Sequence, residues 1–92
     1  MNAFKIECSA ATDEYVVNAL SENNIKHAVK GIKFINDYGQ DINEGDIDNG
    51  SGDPAKMLAG IIIELECETD ESTLEGLLEA VADFEGISLA II

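Results

Sequence analysis

Between Ile61 and Gly86 the apolar residues change period once, from two to that of a helix. Ile61, Ile63, Leu65 and Cys67 alternate with Ile62, Glu64, Glu66 and Glu68, the pattern of a strand with one buried face. Leu74, Leu77, Leu78, Val81 and Phe84 then recur at helical spacing. Ser72 and Glu75 stand as a capping-box pair, and Gly86 supplies a left-handed stop. A strand running directly into an amphipathic helix buries both apolar faces by packing one on the other.

The N-terminal part repeats this plan. In "FKIECS", Phe4, Ile6 and Cys8 face one way and Lys5 and Glu7 the other. "ATDEYVVNALSENN" reads as a helix capped by Thr12, with Asp13 and Glu14 at the positive end of its dipole. Val16, Val17 and Leu20 form its apolar stripe, and Asn23–Asn24 its stop. "HAVKGIKFIN" predicts a second strand, with Ile32 and Phe34 inward and Lys33 and Ile35 outward. "ISLAII" predicts a last one. From Asp37 to Pro54 the pattern dissolves into Gly, Asp and Asn, which predicts a long mobile acidic loop at 37–54.

With 92 residues the chain makes one domain. The expected order is β-α-β-β-α-β, an α+β fold with a four-stranded antiparallel sheet and two helices on one face. This resembles the ferredoxin-like fold over residues 1–92, with spatial strand order four, one, three, two. On that plan Glu64, Glu66 and Glu68 lie on the open sheet face beside Glu7, with Lys5 and Lys33 close enough to neutralise part of the patch. Ile35, Ile62, Ala90 and Ile92 are candidates for an outward apolar patch.

Charge dominates the functional reading. There are 19 acidic residues, five Lys and no Arg, for a net charge of −14. From Met57 onward there is no Lys, Arg or His. Direct binding to nucleic acid or to an anionic membrane requires the opposite sign, so cationic partners are expected instead. Glu71, Glu75, Glu79 and Asp83 recur every fourth residue, about 6 Å apart along a helix axis. That interval is similar to the phosphate repeat of a nucleic-acid strand.

Chemistry is poorly represented. His27 is the only histidine, no phosphate-binding glycine loop is present, and neither Cys8 nor Cys67 stands in a metal-binding spacing. The cysteines fall on apolar strand faces and read as reduced core residues of a cytoplasmic protein. No signal peptide and no span long enough for a bilayer are recognisable. The loop has the oxygen-rich composition of a calcium-binding segment but not its register. Started at Asp41 or at Asp46, it lacks Gly at the sixth position and Glu at the twelfth. No cofactor, metal site or catalytic residue is therefore expected.

In size, charge, absence of Arg and topology the chain resembles the small acidic nucleic-acid mimics that phages use against restriction and CRISPR nucleases. The resemblance implies a non-enzymatic inhibitor in the host cytoplasm, bound to the basic surface of a nucleic-acid-binding protein or nuclease complex. Its expected partner-binding residues are Glu64, Glu66, Glu68, Glu71, Glu75, Glu79 and Asp83, with Asp46 and Asp48 from the loop. The alternative is a ferredoxin-like regulatory or assembly module acting through dimerisation or a small ligand. Both readings permit a homodimer, for which the apolar edge "ISLAII" is the natural seam.

Overall fold

The structure is a computed structural model describing residues 1–92. Its elements are β1 (Asn2–Ser9), α1 (Asp13–Glu22), β2 (His27–Asn36), β3 (Asp41–Ile42), β4 (Leu58–Cys67), α2 (Glu71–Glu85) and β5 (Leu89–Ile91). They form an α+β fold with two helices and one antiparallel sheet in the order β3-β2-β4-β1-β5. The expected four strands keep their expected neighbours, but the sheet has five. The additional strand, β3, lies in the segment read as a mobile loop.

Two features order that segment. Gly39, in the left-handed region at φ +76, turns the chain back so that Ile35 pairs with Asp41 and Phe34 with Ile42. Asn36 is buried and holds three strands of chain at once. Its Oδ1 accepts the Tyr38 and Gln40 backbone N–H groups at 3.0 Å each, and its Nδ2 donates to the Ala55 carbonyl at 3.0 Å. Short 3-10 turns at Glu44–Asp46 and Pro54–Lys56 follow. The Asp48 N–H donates to the Lys56 carbonyl at 2.8 Å.

The core lies on the helix-bearing face. Ile6 and Cys8 of β1 and Ile61, Ile63, Leu65 and Cys67 of β4 pack against Val16 and Leu20 of α1 and Leu74 and Leu78 of α2. Register explains the sharing of faces, since Ile6 pairs with Ile63 and Cys8 with Ile61. Ile32 also pairs with Ile63 and lies on this face, yet it is 47 % exposed. Phe84, expected in the apolar stripe of α2, is 88 % exposed. It lies near the helix end, one turn beyond the half-buried Val81, at the margin of a groove between α2 and α1 that Tyr15, Ala19 and Glu22 also line.

Both helix N-termini differ from expectation. Asp70, not Ser72, caps α2, its carboxylate accepting the Thr73 N–H at 2.8 Å. Thr12 precedes α1 without capping it, because its hydroxyl donates instead to the Ser9 carbonyl at 2.6 Å. The stops are as expected, with Asn24 at φ 56 and Gly86 at φ 68.

Hydrogen bonds from Thr73, through its side chain and then its backbone N–H, hold the Asp70 carboxyl below its ordinary 3.8. A depressed carboxyl stabilises the fold above its unfolded pKa, and the contribution is lost as pH falls through the folded value. Asp70→Ala is expected to lower the melting temperature at pH 7, and the gap to wild type should close below pH 3.8. Melts of both proteins across pH check this; equal melting temperatures at pH 7 would remove Asp70 from the account of α2.

Candidate functional site

The acidic residues singled out in the sequence separate into three places. Glu71, Glu75, Glu79 and Asp83 are all exposed along α2. Helical spacing puts them in one slanting row that starts at Glu71, beside the side on which Leu74 and Leu78 enter the core, and drifts away from it toward Asp83. None of the four is in an ion pair. The only ion pair in the protein joins Lys30 Nζ to Glu66 Oε2 at 3.7 Å, with both side chains about half exposed.

Glu64 and Glu66 lie on the other face of the sheet, as expected, but in mixed company. Glu64 stands opposite Lys5 on β1 and opposite Gly31 on β2. Its carboxylate lies over Gly31, where an added Cβ would come within 3.2 Å of Oε2. Glu66 takes Lys30 as its partner. Glu7 and Lys33 flank Ile62 from either side. Three Lys thus answer three Glu on this face. The sequence pointed to Lys5 and Lys33; Lys30 was missed because a register shift between Val29 and Gly31 displaces it from simple alternation. The same interleaving breaks up the apolar patch, since Ile62 sits between charges and Ile92 pairs its backbone with Lys5. Glu68 is exposed just past the end of β4.

Asp46 and Asp48 belong to the opposite edge of the sheet from α2 and β5. Asp46 Oδ2 accepts from Asn43 Nδ2 at 3.4 Å, and Asp48 Oδ1 accepts the Gly50 N–H at 3.1 Å. These carboxylates shape their own turns. No three His, Cys, Asp or Glu side chains converge as a metal site would require. Glu71 shares a groove with Glu64, Glu66, Lys5 and Lys30, so the α2 row begins at the margin of the sheet set; Asp46 and Asp48 lie apart from both, and no member of the row is in an ion pair.

Beside that row is the edge of the sheet. Ser88 accepts from Ser9 and Ile92 donates to Lys5, so even-numbered residues of the last strand bond to β1. By the alternation of an antiparallel ladder, the N–H and C=O of Leu89 and Ile91 point outward. A groove of about 340 Å³ separates this edge from α2, walled by Glu71, Glu75 and Glu79 and floored by Leu78, Leu89 and Ile91.

The cysteines are both free and buried. Cys8 pairs with Ile61 and Cys67 with Asn2, six residues apart along β4. At about 3.3 Å per residue this separates them by about 20 Å, well beyond bridging distance. No helix is long and apolar enough to cross a membrane. Compared with families of known proteins and with curated individual proteins, the chain matches none, so its function is inferred from the α2 row and the groove beside it.

Proposed function

We propose that this protein is a non-enzymatic acidic inhibitor on a ferredoxin-like frame carrying one inserted edge strand. It binds the basic surface of a nucleic-acid-binding protein or nuclease complex, in the manner of phage anti-restriction and anti-CRISPR proteins. The observation that carries this reading is the α2 row: four exposed carboxylates at four-residue intervals, none with a cation of its own. Repulsion between successive i,i+4 pairs totals about 1 kcal/mol, a cost that a lysine at any one position would relieve. A cationic groove made for phosphates would supply the missing partners, with fast and salt-sensitive association.

The open face contributes less than its three glutamates suggest, because Lys5, Lys30 and Lys33 lie among them. Asp46 and Asp48, at the far edge, are outside the contact that α2 would make. The binding surface is thus the row Glu71, Glu75, Glu79 and Asp83 with its immediate neighbours.

The test is affinity capture from a host lysate, eluted by a salt gradient and by competing DNA or RNA. Wild-type protein should retain a nucleic-acid-binding protein that nucleic acid displaces. A variant carrying Glu75→Lys, Glu79→Lys and Asp83→Lys should lose it while keeping its circular dichroism spectrum. A partner held equally by the reversed variant, or indifferent to nucleic acid, would overturn the proposal.

A further inference from the structure

The two edges of the sheet are protected unequally. Beyond the short β3, the outer side of β2 carries Lys30 and Lys33 and a register shift at Lys30, features that discourage another strand from pairing there. β5 has no lysine, no proline and no bulge, and its outward backbone groups open onto an apolar floor. Such an edge accepts an extended chain through main-chain hydrogen bonds, with alternate side chains choosing the ligand.

We infer that the groove between α2 and β5 takes an extended basic segment of the partner, added to the sheet as a sixth strand beside Leu89–Ile91. This rests on the reading above in requiring a cationic partner, and adds where and how it binds. Spacing and charge identify the occupant. Side chains on one face of a strand repeat at about 6.6 Å, twice the rise per residue. Carboxylates four apart on a helix repeat at about 6 Å. A strand with Lys or Arg at every second position therefore presents cations to Glu71, Glu75 and Glu79 nearly in step. The small mismatch is within the reach of a lysine side chain. The intervening residues face away from the helix and are under no such demand.

A second copy of this chain fits the same edge poorly. Two β5 edges paired about a two-fold axis would place their helices on the same side of one continuous sheet. The row Glu71, Glu75 and Glu79 of each copy would then face its counterpart with no cation between them. Joining the β2 edge of one copy to β5 of the next does not help, because Lys30 and Lys33 are associated with the face opposite α2.

The probe is a nine-residue peptide alternating lysine and valine, compared with the same peptide methylated at every amide nitrogen. Methylation keeps the charges and removes the donors needed by a ladder. Amide resonances are followed by nuclear magnetic resonance with the full chain. The unmethylated peptide should shift Leu89 and Ile91 and slow exchange of their amides, and the methylated peptide should bind at least ten-fold more weakly. Ile91→Pro removes one outward donor from the edge and should cause a similar loss; because Ile91 also packs against the core, Ile91→Ala, which keeps the donor, is the control and should bind more tightly than Ile91→Pro. Glu75→Gln with Glu79→Gln should weaken binding and flatten its salt dependence. Equal binding by both peptides, with shifts confined to α2, would overturn strand addition and leave the acidic inhibitor standing. No binding of either peptide would overturn this proposal alone, because lysate capture reports on the inhibitor reading separately. Mass that grows with concentration in the absence of peptide, with slowed exchange at Leu89 and Ile91, would assign the edge to a second copy and overturn it.

Discussion

Leu74→Ala is expected to cost about 2–5 kcal/mol of unfolding free energy, the range for removing a fully buried leucine side chain without full collapse of the space. Leu74 is 0 % exposed and, with Leu78, anchors α2 to the sheet. Only 13 of 92 residues are buried, so little else is available to hold the helix. A domain of this size has about 5–15 kcal/mol in total, and the substitution removes a large share of it. Phe84→Ala is the matching control. Phe84 is apolar, lies on the same helix and is 88 % exposed, so its loss should fall within about 0.5 kcal/mol. Urea unfolding followed by circular dichroism measures both. Equal costs for the two would mean that α2 packs through a different face, and the acidic row would then be turned elsewhere.

The contrast between Leu74 and Phe84 also marks how far periodicity can be read. Helical spacing placed Leu74 and Leu78 in the core and left Glu71, Glu75, Glu79 and Asp83 exposed, as the structure has them. It could not say which apolar positions the neighbouring elements cover, because Phe84 borders α1 and is left open there. The same division appears in β2. Alternation placed Ile32 and Phe34 inward, and their register agrees, but the exposure of Ile32 depends on coverage by helices, which no local pattern records.

Strand β3 was illegible for another reason. Two residues, Asp41 and Ile42, are too few to show a period, and the Gly- and Asp-rich surroundings carry the composition of a loop. What orders the segment is one buried amide, Asn36, at the end of a strand where an asparagine commonly signals a turn. At the start of α2 the capping-box spacing pointed to Ser72, whereas Asp70, two residues earlier, is the cap. Choosing between them needs the angle at which the chain leaves β4.

For the binding surface, sequence alone located every carboxylate and missed their partners. Whether Glu64 and Glu66 are free depends on the strands beside them, and cross-strand register is a tertiary property. Lys5 stands opposite Glu64 because β1 pairs antiparallel with β4 in one specific alignment, and Lys30 reaches Glu66 only through the shift in β2. The α2 row needed no such information, since a helix fixes its own neighbours. That is why the exposure of the α2 row was legible in the sequence and the lysines beside the sheet glutamates were not.

The largest chemical effect is expected at Cys8. Its thiol, 1 % exposed, is pushed up from 9.0 to about 11, by burial first and then by the negative charges of Asp13 and Glu7. Only the thiolate attacks a disulfide reagent, so at pH 8 a rise of about two units lowers the reactive fraction about 100-fold, before any loss of access. Cys67 is shifted the same way by burial, opposed by a hydrogen bond at Thr69 and by the N-terminal ammonium. In Cys67→Ala, which isolates Cys8, the native protein should therefore react with a chromogenic disulfide at least 100-fold more slowly than the urea-unfolded chain, and a ratio below ten would mean that β1 opens readily. The same shift makes stability depend on alkaline pH. Folding favours the protonated thiol, so its contribution is complete below pH 9 and is lost as pH rises through about 11. Two units correspond to about 3 kcal/mol, an upper bound for a single buried thiol. Lysines and tyrosines titrate over the same interval, and comparison with Cys8→Ala isolates the thiol. The variant starts less stable at pH 8 and should lose less between pH 9 and 11. Parallel losses in the two proteins would place the alkaline transition on Lys or Tyr side chains and separate the thiol from the stability of the β1–β4 core.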